Sequence, residues 1–316
     1  MDSSRAALTD RVIDDVIDCK FTRAIAAAES LSRVDTIDPL GPLLHLLALG
    51  LRDLDFDLFL DSTAFLETYA TTLARTQNYE RNNGRTSYSL TVAGIANAAH
   101  ASYYLRRDRY FAAIGSGLEG MKKLESARKL DSTNVDPNFF LGAYEYARGE
   151  LRKKLWMVLF WYPGSRSRGI ARLNVCMREA QLTATGAKMA LADIYVKEKE
   201  FAKAWSIIQE LYREHPRSRF VMWSQAKYHE ERKEFVRAAE VYARLAASYE
   251  QEHHGRYNVL VTRMKQVEAL EQAGNAGAAV KVAQEAVKVN CPAEGEPCRE
   301  MCDEMGDLFR RLNDGG

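Results

Sequence analysis

Four short stretches of this chain carry residue types that could hold an ion or do chemistry. Cys291, Cys298 and Cys302 fall within twelve residues near the C-terminal end. Three thiolates and a fourth ligand could take zinc, but no histidine follows and no pair has CxxC spacing. A disulfide from Cys291 to either Cys298 or Cys302 suits the spacing better. It would close the short loop around Pro292–Pro297 and hold the last helix, and it needs an oxidising compartment. Asp53, Asp55 and Asp57 alternate as at the start of a calcium loop. The sixth and twelfth positions, where that loop needs Gly and Glu, are Leu58 and Ala64, so a solvated acidic turn is expected. Gly164–Gly169 (GSRSRG) brings hydroxyls and two guanidiniums before a helix start but lacks the closing lysine of a phosphate loop. A turn and helix cap is expected there. His253-His254, with no cysteine or helically spaced histidine beside it, is not expected to bind metal. No nucleophile–base–acid set, HExxH or dinucleotide fingerprint is present. The residues therefore imply no enzyme, no cofactor and no metal.

The elements that carry these residues repeat. Ala192, Tyr195, Phe201, Ala204 and Leu211 recur thirty-four residues later as Ala226, His229, Phe235, Ala238 and Leu245. That period is one helix–turn–helix unit that stacks on copies of itself. Alanines at 192 and 204 let two helix backbones cross closely. A third copy follows a longer connector, Tyr249–Tyr257, with Gly274 at its turn and Ala279, Ala283 and Ala286 in its second helix. Upstream, Tyr88–Leu105 and Tyr110–Leu130 read as two long helices joined at Arg106-Arg107-Asp108. Phe21 with Ala24 and Tyr110 with Ala113 repeat the aromatic-then-alanine pair. Cys19 and Cys176 sit in helical patterns as small core residues.

Leu191-Ala192, Tyr195, Phe201, Ala204 and Pro216 match the tetratricopeptide repeat (TPR) motif, with Lys199 where a glycine is usual. The chain resembles that family, which implies an all-α right-handed solenoid of about six helix pairs, less regular in its N-terminal half. It divides into irregular pairs over 1–135, a unit with an insert over 136–186, regular repeats over 187–290 and a cysteine-bearing cap over 291–316. The outline is similar to a group of bacterial TPR proteins, through Asp38-Pro39-Leu40-Gly41, then Leu141, Gly142, Tyr144 and Tyr146, then Arg168-Gly169-Ile170. Members of that group generally carry a secretion signal. This chain starts Met1-Asp2-Ser3-Ser4, which reads as cytoplasmic as given, or as periplasmic or envelope if it is a trimmed mature form.

The resemblance also implies a function. In TPR proteins the first helices line a concave face that holds a peptide, a helix or a partner subunit. The positions that would point there include Met189, Asp193, Lys197, Phe220, Trp223, Lys227, Glu231, Met264 and Glu268. Trp is a common binding anchor, but Trp223 and Phe220 could equally pack between repeats. Members that clamp a chaperone tail use Lys and Asn where this chain has Met189 and Asp193, so that role is excluded. A protein-binding adaptor or scaffold is the leading expectation.

The other expectation is a peripheral membrane or envelope component. Leu155–Pro163 is the most apolar run, with Trp156, Phe160, Trp161 and Tyr162 flanked by basic residues. It is too short to span a bilayer. It either lies at a lipid or protein interface or folds back into the core, the latter being favoured. Lys plus Arg (44) nearly cancels Asp plus Glu (43), so no global field favours nucleic acid.

Overall fold

The computed structural model describes residues 3–154, 164–289 and 296–314. These residues contain fifteen α-helices and no strand. In order they are α1 (Ser3–Ile17), α2 (Phe21–Val34), α3 (Leu40–Phe56), α4 (Ser62–Asn83), α5 (Ser87–Leu105), α6 (Tyr110–Leu130), α7 (Asn138–Lys154), α8 (Arg166–Glu179), α9 (Ala184–Lys197), α10 (Phe201–Glu214), α11 (Arg219–Glu231), α12 (Phe235–Tyr249), α13 (Arg256–Gln272), α14 (Ala276–Ala286) and α15 (Glu296–Asp314). Fifteen successive helices fit the solenoid of about six helix pairs expected. The chain divides into two compact units, one comprising Met1–Asp53 and Phe59–Leu191, the other Leu54–Leu58 and Ala192–Gly316.

One turn, used five times, makes five of the hairpins. A residue with left-handed backbone stands two positions before the second helix: Cys19 (φ 60°), Asp108 (57°), Lys199 (61°), Lys233 (60°) and Gly274 (74°). The next residue donates its N–H five positions back. These bonds run from Lys20 to Asp15, Arg109 to Tyr104, Glu200 to Tyr195, Glu234 to His229 and Asn275 to Leu270, at 2.7–3.0 Å. This arrangement satisfies carbonyls that the end of the first helix would otherwise leave open. Lys199 and Lys233 are thirty-four residues apart, so the sequence period is the period of the turn.

Five residues after each left-handed position stands a buried alanine: Ala24, Ala113, Ala204, Ala238 and Ala279. A small side chain there lets the second helix approach the first closely. Cys19 is therefore a turn residue, not the helical core position expected, although its side chain is buried.

Within the first unit, α5 and α6 pack most closely through small residues. A Cβ on Gly120 would lie 3.0 Å from the Gly94 carbonyl and 3.2 Å from the Ala98 nitrogen. The outer face of α6 carries Phe111 (94% exposed), Ile114 and Leu118, all open to solvent. The GSRSRG stretch is a turn and cap, as expected: Ser165 Oγ accepts from the Arg168 N–H at 3.3 Å. Its guanidiniums pair with acids of α7, Arg166 with Glu150 and Arg168 with Glu145, both at 2.8 Å. Gly169 allows α7 and α8 to touch, since a Cβ there would meet the Gly142 carbonyl at 2.7 Å.

Within the second unit, α10 through α15 pack in sequence. Trp205 of α10 stacks on Tyr228 of α11 at 4.8 Å. Ala204, Ile208, Leu211, Val221, Ala226, Ala238, Tyr242, Leu245, Tyr249 and Leu260 form its core. No helix among the described residues is long and apolar enough to cross a membrane.

Candidate functional site

The first helices of the second unit place the residues expected to bind a partner. Asp193 of α9 accepts a hydrogen bond from Ser224 Oγ of α11 at 2.8 Å, tying two first helices together. Phe220 and Trp223 of α11 are half-buried, while Lys227 and Glu231 farther along the same helix are exposed. Lys197 is exposed at the end of α9. Met264 and Glu268 of α13 line an open cleft with Glu271, Glu304, Leu308 and Arg311, where α15 lies over α13. Met189 is half-buried on the part of α9 that counts with the first unit. Trp156, Phe160, Trp161, Tyr162 and Cys291 lie outside the described residues. Cys298 is disulfide-bonded, and Cys302 is a thiol whose Sγ donates to the Val289 carbonyl at 3.6 Å. Among the described residues no group of His, Cys, Asp or Glu could hold a metal ion.

Trp223 leads into a buried polar cluster. Its Nε1 donates to Tyr249 Oη at 3.2 Å. Tyr249 Oη in turn donates to Asp55, reaching its main-chain carbonyl and Oδ1 at 3.1 Å each. Arg219 grips both oxygens of the Asp55 carboxylate with one edge, Nε donating to Oδ1 at 3.1 Å and Oδ2 at 2.9 Å, and Nη2 to Oδ2 at 2.6 Å. Its remaining nitrogen, Nη1, donates to Glu252 at 2.9 Å. The guanidinium lies 5.3 Å from the Phe56 ring centre and 4.9 Å from that of Tyr249, within range of cation–π attraction. Asn258 Nδ2 adds a second donor to the Asp55 carbonyl at 3.2 Å. The buried Asn258 Oδ1 makes no hydrogen bond among the described residues.

The acidic triplet is thus not a solvated turn. Asp53 is 2% and Asp55 5% exposed. Asp57 alone fits the turn reading, with a left-handed backbone at φ 54°. Burial pushes the Asp55 carboxyl above its ordinary value, opposed by the hydrogen bonds from Arg219. Burial likewise pushes the Tyr249 hydroxyl up, with the Asp55 charge adding to it. Sequence reasoning missed Arg219, Tyr249, Asn258 and Asp55 as a set because 164 residues separate Asp55 from Arg219. One signal was available. Asp53 and Asp55 stand two apart at the end of a leucine-rich helix, so they leave it in nearly opposite directions and cannot share one solvent face.

No family model matches the chain, and no curated protein matches it. Solved structures similar to it include the C-terminal part of a TPR repeat-containing protein from Cytophaga hutchinsonii, 12% identical, covering 98% of this chain and 96% of that one at a TM-score of 0.30. Yeast Tom70 is 10% identical over 95% of this chain and 87% of its own, at a TM-score of 0.37. The P58(IPK) TPR domain is 10% identical over 98% and 99%, at a TM-score of 0.26. With superpositions this loose, the repeat architecture rests on the turn geometry and buried alanines described above.

Proposed function

We propose that the protein is a non-catalytic interaction scaffold, and that the first helices α9, α11 and α13 hold a peptide or helix of a partner protein. The observation that carries this reading is Trp223, half-exposed on α11 and fixed by its hydrogen bond to Tyr249. An indole already held in one orientation loses little freedom on binding, and Trp is enriched among the residues that dominate interface energy. Exposed charges of both signs follow on the same helix, Lys227 and Glu231, and suit a polar rim around it.

Photo-crosslinking tests this. A benzoylphenylalanine placed at Lys227, Glu231 or Glu268 should capture one discrete polypeptide from the source cell. The same probe at Arg237 or Glu240 on the second helix α12 should capture none, and Trp223→Ala should cut the yield at least tenfold. Equal labelling from both faces, or none from the first-helix positions, would remove the proposal.

A further inference from the structure

We infer that Arg219, Tyr249 and Asn258 form a recognition site for a peptide carrying an acidic residue followed by an aromatic one, and that Asp55–Phe56 occupies this site in cis. The inference rests on the peptide-binding reading above and names the chemistry of the ligand.

Three features of the contact are those of peptide recognition. The acid is read by a forked guanidinium, with side-chain exposures of 4% for Arg219 and 1% for Asp55. The following aromatic ring has the same guanidinium over it and meets Tyr249 in a T-shaped arrangement, the ring centres 6.2 Å apart. The main chain is read too, because the Asp55 carbonyl receives both Tyr249 Oη and Asn258 Nδ2.

A fourth feature shows that Asp55 fills the site incompletely. Asn258 is 5% exposed and its buried Oδ1 makes no hydrogen bond among the described residues. A side-chain amide set against a peptide ordinarily pairs with both a carbonyl and an N–H. Asp55 lies inside α3, so its own N–H is committed to the helix. An extended peptide has no such commitment and can offer a carbonyl and an N–H together. A partner segment of the form Asp-Phe or Glu-Phe therefore satisfies the site more fully than the cis segment, and displaces it.

The probe is a labelled, end-blocked synthetic peptide with the sequence of Leu51–Leu58, titrated into the full chain. Asp55→Asn, which keeps the shape of the cis side chain and removes its charge, should bind the peptide at least tenfold more tightly than the unaltered chain. Tyr249→Phe in that background should weaken binding about tenfold. A peptide with Asn at the position aligned with Asp55 should not bind. If Asp55→Asn does not fold, the unaltered chain is given excess peptide and amide exchange over 54–58 is read; it should accelerate. Equal binding of the acid and amide peptides, no binding to the folded variant, or unchanged exchange over 54–58 would overturn the inference. If crosslinks at Lys227 and Glu231 persist in any of those cases, the scaffold reading survives and the ligand assignment alone is lost.

Discussion

Arg219 lies between two carboxylates and two aromatic faces, and its removal should cost far more than its replacement together with Asp55. Arg219→Met leaves the Asp55 carboxylate buried without its main counter-charge. Breaking a buried pair in this way typically costs about 3–5 kcal/mol. Arg219→Met with Asp55→Leu removes both charges and should recover most of that loss, which urea unfolding of the single and double variants would measure. At the α11–α12 turn the Glu234 carboxylate is partly exposed and the effect is on titration. The Arg232 guanidinium, 2.7 Å away, holds the Glu234 carboxyl down at about 2, and His229 Nδ1, also at 2.7 Å, adds to it. A folded value below the unfolded one stabilises the fold above the ordinary glutamate range, and that contribution is lost as pH falls through about 2. Its size is small, because solvent screens the group. Carboxyl carbon shifts should show Glu234 titrating near that value, and Arg232→Gln should move its midpoint up toward the usual range. Cys176 is the contrasting case: burial pushes its thiol up to about 11. It should resist alkylation at pH 8 in the folded chain and react once the chain is unfolded.

At the scale of the helix pair, the turn was legible and its backbone cost can be measured. Phe201, Ala204 and their echoes announced a hairpin because the aromatic and the small residue stand at fixed offsets from the left-handed position. Lys199 and Lys233 hold that position without being glycine. A left-handed backbone costs a residue with a Cβ about 1–2 kcal/mol, and glycine loses about 0.5–1 kcal/mol through its freer unfolded state. Lys199→Gly and Lys233→Gly should therefore each stabilise the chain by about 0.5 kcal/mol, a rise of about 1–2 °C in Tm by calorimetry. Ala238→Leu should act in the opposite direction by about 1–3 kcal/mol, because the helix crossing leaves that fully buried position no room for a larger side chain. The exposed Phe111 marks where periodicity misleads. The inner face of α6 is built from Ala113, Gly117 and Gly120, so its large apolar residues lie on the outer face, the reverse of the pattern in α10.

At the scale of the whole molecule, the charge balance sets an expectation about nucleic acid that salt dependence can test. The repeats could be phased from the chain alone because every hairpin contact is local. The Asp55 cluster could not, since it depends on which distant side chains the fold brings together. Net charge needs no fold, and 44 basic against 43 acidic residues leave a formal +1. One local basic run is engaged within the fold. Of the run Arg106-Arg107-Asp108-Arg109, Arg106 donates to the Asp53 carbonyl at 2.9 Å and Arg107 to Ser62 Oγ at 2.7 Å. Both guanidiniums also lie over the Phe59 ring, at 4.7 and 4.4 Å from its centre. Cations engaged in this way are poorly placed to replace counterions along a phosphate backbone. The chain should therefore elute from heparin below about 0.2 M salt. Any residual binding to duplex DNA should show a log–log salt slope of about 2 or less, against the slope near 10 of a protein making many phosphate contacts. Retention on heparin beyond about 0.5 M salt would require a concentrated basic surface and would return nucleic acid to the partners that must be considered.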